Sequence, residues 1–275
     1  EQTAATETER AKHESHAHGG WQAGCVVMLS HDCRHDLLAV QMMKAIRDAL
    51  AEERVEVFVR SYAVIPLGKD RGIIEVDPGA KTRDQLCMAS GGNLQHHMAQ
   101  AFGPVHSEQY QLARTNYVQS LAGCSLVAFL LQVRDRSGVN TLVDASCRLS
   151  YVDFNSILES QPHGAVGGFK LTQEAMEIMG GSPGAEPFKY FCSLMVRSFL
   201  AVRSHVDRIV ALVALMADSG VPCIRRETVE HLKARFVPDK TEREAAQFIL
   251  DRVKDSHEQL GSSGQDMFPD GDTEW

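Results

Sequence analysis

Val133-Arg-Asp-Arg-Ser-Gly-Val-Asn140, followed after a short gap by Leu149-Ser-Tyr-Val-Asp-Phe-Asn155, is the stretch on which the fold turns. It sets Asp135, Asn140 and the pair Asp153-Phe154 at the spacing of a phosphoryl-transfer site. Such a site needs an oxygen to orient the attacking hydroxyl, then two oxygen ligands for magnesium on nucleotide phosphates. Asp-Arg-x-x-x-Asn alone recurs by chance. An apolar strand and an Asp-Phe pair thirteen residues after Asn140 make the pattern more specific.

Working outward, Leu142-Val143 and Leu149–Val152 predict a short hairpin framing these residues. Glu108–Leu131 before it predicts a long helix whose increasingly apolar second half belongs in a core, and Leu94–Phe102 a short helix stopped by Gly103-Pro104. After it, Thr172 is a candidate N-cap for a helix over Gln173–Met179 that ends at Gly180-Gly181. Helices at 187–202 and 204–218 follow, and Thr241 with Glu244 predicts a capping box opening a last helix to about residue 257. Toward the N-terminus, Ala23–Leu29 predicts a strand. Asp32 then precedes a helix with Leu37, Leu38, Met42, Ala45, Ile46 and Ala49 on one stripe. Val55–Val64 predicts one or two strands and Ile73–Val76 another. The pattern is α+β and bilobal. Its expected divisions are a disordered lead-in over 1–20, a reduced β-rich N-lobe over 21–76, a helical C-lobe over 77–257 and a flexible tail over 258–275.

A chain of 275 residues with 44% hydrophobic content can bury a sizeable core. Its net charge of -8 argues against nucleic acid as a partner, which needs a basic face. The longest unbroken apolar run, Ile209–Ala217, is nine residues, too short for a transmembrane segment, and no signal peptide is visible. The seven scattered cysteines show no zinc-type pairs and suit reduced thiols in a cytoplasmic protein. His13, His16 and His18 lack a carboxylate framework and read as a solvated tail. Arg225-Arg226 with Lys233 and Arg235 is either a basic face toward anionic membrane or a solvated helix face.

Ordered blocks carry a family resemblance from about Gly24 to about His257. They are His31-Asp-Cys-Arg-His-Asp-Leu-Leu-Ala-Val-Gln41, Gly72-Ile-Ile-Glu-Val76, Asn116-Tyr-Val-Gln-Ser-Leu-Ala122, Phe169-Lys-Leu-Thr-Gln-Glu174 with Met179-Gly-Gly181, and Ser219-Gly-Val-Pro-Cys223. The chain resembles the catalytic domain of phosphatidylinositol 4-kinases, within the phosphoinositide 3-/4-kinase family. That resemblance implies a bilobal protein-kinase-like fold and transfer of phosphate from ATP, with Mg2+, to the inositol headgroup of phosphatidylinositol at a membrane surface. It implies a cytoplasmic protein, peripheral on membranes. By position, Asp135 would be the catalytic-loop aspartate, Asn140 and Asp153 the magnesium ligands, and Glu75 and Val76 the hinge holding adenine. Phe154 and Met28 would border the nucleotide, and Lys170 would lie near the lipid headgroup.

The departures fall at the chemistry. The family's catalytic loop reads Asp-Arg-His-Asn-Gly-Asn; here it is Asp135-Arg136-Ser137-Gly138-Val139-Asn140. Ser137 stands at the catalytic histidine position, and a serine hydroxyl does not titrate near neutrality. Asp-Phe-Gly has become Asp153-Phe154-Asn155, where asparagine is expected to carry a positive φ in place of glycine. Met28 stands at the phosphate-binding lysine, and Asp36 at its acidic helix partner. No glycine- or serine-rich turn precedes Cys25, so the phosphate-covering loop is expected to be lost or to lie upstream. The alternative to a lipid kinase is therefore a pseudokinase, a scaffold or regulator acting through a protein partner.

Overall fold

The computed structural model describes residues 24–133, 137–155, 157–158, 169–217, 219–221 and 224–262. The expected lead-in over 1–20, Asp135 and most of the expected tail lie outside the described residues.

Strand β1 (Gly24–Leu29) leads through Ser30 into helix α1 (Arg34–Glu52). Leu38, Met42, Ala45, Ile46 and Ala49 face the core, as their spacing predicts. Strands β2 (Val64–Pro66) and β3 (Arg71–Val76) complete an antiparallel sheet of order β1-β3-β2. The expected strand over Val55–Val64 is a correction: only its last residue enters the sheet. The preceding segment crosses the long helix instead. There the Phe58 N–H donates to Gln119 O, and the Phe58 carbonyl lies where a Cβ on Gly123 would meet it at 2.2 Å. β-Branched residues give the segment its extended form, and the helix takes the place of a partner strand.

Next come β4 (Lys81–Thr82), α2 (Arg83–Ser90), α3 (Leu94–Phe102) and α4 (Glu108–Leu131). Hydrophobic periodicity does not reveal α2, which buries only Leu86 and Ser90; its start is marked by the capping box of Thr82 and Gln85. The hairpin β5 (Thr141–Val143) and β6 (Leu149–Tyr151) joins β4 in a second antiparallel sheet, of order β4-β5-β6. Thr172 caps α5 (Gln173–Ile178), and Gly180 and Gly181 stop it with φ of 102° and 73°. The body is completed by α6 (Glu186–Arg203), α7 (Val206–Met216), α8 (Arg226–Arg235) and α9 (Glu242–Ser262). The last helix runs through Ser262, so residues 258–262 continue it instead of opening a tail.

Buried residues fill α4 on every side from Ser120 to Leu131, and it packs on α6 and β6. Phe129 meets Phe199 and Phe248 edge to face, each with centroids 6.0 Å apart. The result is α+β and bilobal, a small sheet with α1 set against a helical body. Arg235 turns inward. Its guanidinium donates to Leu130 O at the end of α4, and burial lowers its pKa to about 10. It therefore serves α4 and not a membrane-facing basic patch. Among the described residues no helix is long and apolar enough to cross a membrane.

Candidate active site

The hairpin brings Asn140 to the segment that carries Asp153. Thr141 pairs with Tyr151 at the open end of the β5–β6 ladder, and one step beyond it the Val152 N–H donates to Asn140 O at 3.1 Å. Asn140 is thus bonded to the residue before Asp153, where the two strands leave the ladder. Ser137 O accepts both the Asn140 N–H (3.1 Å) and the Thr141 hydroxyl (3.0 Å), which closes the catalytic-type loop into a turn. Ser137 itself is exposed.

The positive φ expected at Asn155 lies instead at Asp153, whose φ is 64°. Aspartate tolerates this left-handed region better than most residues, so no glycine is required. Asn155 acts through its side chain: Nδ2 donates to Asp153 Oδ1 and occupies one of the oxygens a metal would use. Phe154 is fully buried in the core, and its backbone N–H donates to Asp36 Oδ1 at 3.0 Å.

Asp36 is the centre of the site. Only 1% exposed, it receives Phe154 on one oxygen and His31 Nε2 on the other, again at 3.0 Å. Met28, at the expected lysine position, pairs with Gly72 across the sheet and packs its half-buried thioether on the core. Tyr62 lies within electrostatic reach of the Asp36 and Asp153 carboxylates. Its buried hydroxyl has no hydrogen-bond partner among the described residues, and its pKa is raised by burial first, then by those two carboxylates.

Glu75 and Val76 end β3, where the Glu75 N–H donates to Ala63 O and its carboxylate accepts the Ala63 N–H. Asp77 follows. The Arg60 guanidinium, then the Gly79 N–H, hold its carboxyl below the ordinary range. Lys170 lies on a cavity of about 270 Å³ bordered also by Arg83, Thr141, Tyr151 and Thr172. Beneath it Arg83 Nε donates to Glu174 at 2.6 Å, while Glu174 also accepts the Leu94 N–H at 2.6 Å.

Asn140 and Asp153 each carry an oxygen of the kind magnesium takes, and that ion keeps several waters and takes one or two protein oxygens beside phosphate. Among the described residues no three His, Cys, Asp or Glu converge on a metal, so nucleotide phosphates and water would complete the shell. The residues fit the ion. They fit the phosphates less well, because Met28 offers no charge. Sequence reading missed His31 and Tyr62 as parts of the site. His31 was detectable as a polar ring between a strand end and a helix start; nothing local marks Tyr62, which only the return of the chain across α4 brings near Asp36.

Residues 22–226 match the family model described as "Phosphatidylinositol 3- and 4-kinase". The chain is 35% identical over 250 residues to phosphatidylinositol 4-kinase alpha 1 of Arabidopsis thaliana, an alignment covering 88% of this chain and 12% of that protein. It is 35% identical over 253 residues to phosphatidylinositol 4-kinase STT4 of Saccharomyces cerevisiae, covering 90% of this chain and 13% of that protein. Against phosphatidylinositol 4-kinase beta of Xenopus tropicalis it is 35% identical over 235 residues, covering 84% and 29%. The chain thus spans a small part of the length of these relatives.

Proposed function

Because the chain belongs to the phosphatidylinositol 3- and 4-kinase family, we propose that it is a 4-kinase-type domain with a retained magnesium–nucleotide site and impaired transfer of phosphate to the inositol headgroup of phosphatidylinositol. The backbone bond from Val152, the residue before Asp153, to Asn140 at the end of the β5–β6 ladder carries this reading.

In it, the hinge backbone at Glu75 and Val76 holds the base, Phe154 fixes the Asp153 turn from below, and Asn140 and Asp153 present oxygens to magnesium. Magnesium, when bound, neutralises charge on the phosphates. Asp135 orients the lipid hydroxyl, and Lys170 faces the headgroup from the adjoining cavity. The impairment has two sources. Ser137 cannot accept the hydroxyl proton as an imidazole would. Met28 removes a positive charge from the phosphates, an electrostatic contribution of several kcal/mol at such sites, about 3 by analogy with a lost oxyanion donor. The domain is then a cytoplasmic protein working at the membrane surface.

The second reading, a pseudokinase acting through a protein partner, is favoured by one observation: the Asn155 amide already occupies Asp153 Oδ1. Calorimetry with Mg-ATP separates the two. Binding that Asp153→Ala abolishes supports a working metal site; no binding in either protein sinks the enzyme reading. Lipid phosphorylation should be low in the wild-type protein, and should rise in Met28→Lys with Ser137→His. High wild-type turnover would overturn the impairment. Gly138 is best left alone in that revertant, because a Cβ there would lie 1.7 Å from Asp84 Oδ1.

A further inference from the structure

Losing the lysine from β1 leaves a problem that this chain solves in its own way. Asp36 is 1% exposed, and a carboxylate so deeply buried needs partners for both oxygens. The strand position that would supply an ammonium carries Met28, whose thioether cannot donate. The Phe154 N–H satisfies one oxygen at 3.0 Å. The other is met by His31, three residues further along the chain than Met28, at the turn between β1 and α1.

His31 is itself held. Ser30 before it adopts a φ of 59°, which turns the chain sharply after β1, and the His31 N–H donates to Asp70 O at 3.2 Å in the turn between β2 and β3. Its side chain is 15% exposed, and its Nε2 lies 3.0 Å from Asp36 Oδ2. With a carboxylate as acceptor, the ring nitrogen is the donor. The line His31–Asp36–Phe154 therefore joins three elements: the end of β1, the first turn of α1 and the Asp-Phe-Asn segment that presents Asp153.

We propose that His31 is a positioning residue that replaces the missing lysine as the partner of Asp36, and so holds the Asp153 turn in its place. This deepens the reading of the site given above and rests on it only for what Asp153 binds. Asp36 fixes the Phe154 amide because its own carboxylate is fixed by His31; without that donor the carboxylate is left half-paired in the core and turns toward water. An imidazole serves here because its donor lies three bonds from Cβ, close enough to reach the first turn of α1 from the preceding loop. A lysine on β1 would approach from the sheet.

The test is hydrogen exchange at the Phe154 amide, read by NMR on the full chain without nucleotide. His31→Phe keeps a ring and removes the donor; His31→Gln keeps a nitrogen donor three bonds from Cβ. The proposal expects Phe154 to exchange about tenfold faster or more in His31→Phe, the loss of one charge-assisted hydrogen bond, and near the wild-type rate in His31→Gln. Wild-type exchange in both variants overturns it, since Asp36 then holds Phe154 unaided. Equal acceleration in both also overturns it, since the ring would act by shape. Should His31→Phe unfold, shown by lost protection along α4, His31→Gln decides: protection at Phe154 supports the proposal and its selective loss overturns it. Mg-ATP calorimetry is run separately and reports only on the kinase reading, so failure of one does not imply failure of the other.

Discussion

The helical body and the small sheet use similar residues and bury them very differently. Phe129 on α4 is 0% exposed and surrounded by aromatic and aliphatic side chains from α6 and α9. Leu29 on β1 is 73% exposed and Val27 60%. The first region stores stability. The second carries Met28, the position where the family resemblance leads one to expect a lysine. A region that carries little of the core can change its chemistry at small cost to folding, whereas the buried body cannot.

That contrast can be broken at its strong end. Phe129→Ala should destabilise the protein by about 3–5 kcal/mol, measured by denaturant unfolding, because it empties the centre of the body. Glu174→Ala should cost about 3 kcal/mol by the same measurement. It strands the buried Leu94 N–H and leaves the half-buried Arg83 guanidinium with Asp84 in place of two carboxylates. Gly72→Ala, in the small sheet, should cost only about 1–2 kcal/mol. A Cβ there meets Cys33 Sγ at 2.7 Å, Cys33 Cβ at 3.0 Å and Ile65 O at 3.1 Å, so the strand and the start of α1 must ease apart by a few tenths of an ångström. A cost from Gly72→Ala as large as from Phe129→Ala would refute the division of labour.

The smallest effect is electrostatic. Asp77 is held below its ordinary range by Arg60 and then by the Gly79 N–H, so its folded pKa lies below the unfolded value of about 3.9. Its stabilisation is complete above that value and is lost as pH falls through the folded pKa. Asp77→Asn should therefore cost under about 1 kcal/mol at neutral pH, and the gap from wild type should close below about pH 4 in thermal unfolding.

Much of the architecture was readable in the chain. The Leu94–Phe102 and Glu108–Leu131 helices, the hairpin around the catalytic-type loop and the Gly180-Gly181 stop all follow local rules of periodicity and capping. The Val55–Val64 segment did not, because its β-branched residues give an extended backbone but cannot say whether a strand or a helix lies beside it. The same limit applies at the site. The approach of Asn140 to the Val152–Asp153 segment follows from spacing, since a tight hairpin turns sequence separation into proximity. The positive φ could not be assigned between Asp153 and Asn155, because both tolerate it.

The sequence by itself determined the family and most of the long helices, through local pattern and ordered motifs. Only the tertiary structure decided which distant groups meet. It brought Tyr62 within the influence of two carboxylates, turned Arg235 onto the end of α4, and put His31 and Phe154 on the two oxygens of Asp36. The physical reason is that a buried polar group must find its partners wherever the packed chain brings them, and from Phe154 to Asp36 that partner is 118 residues away.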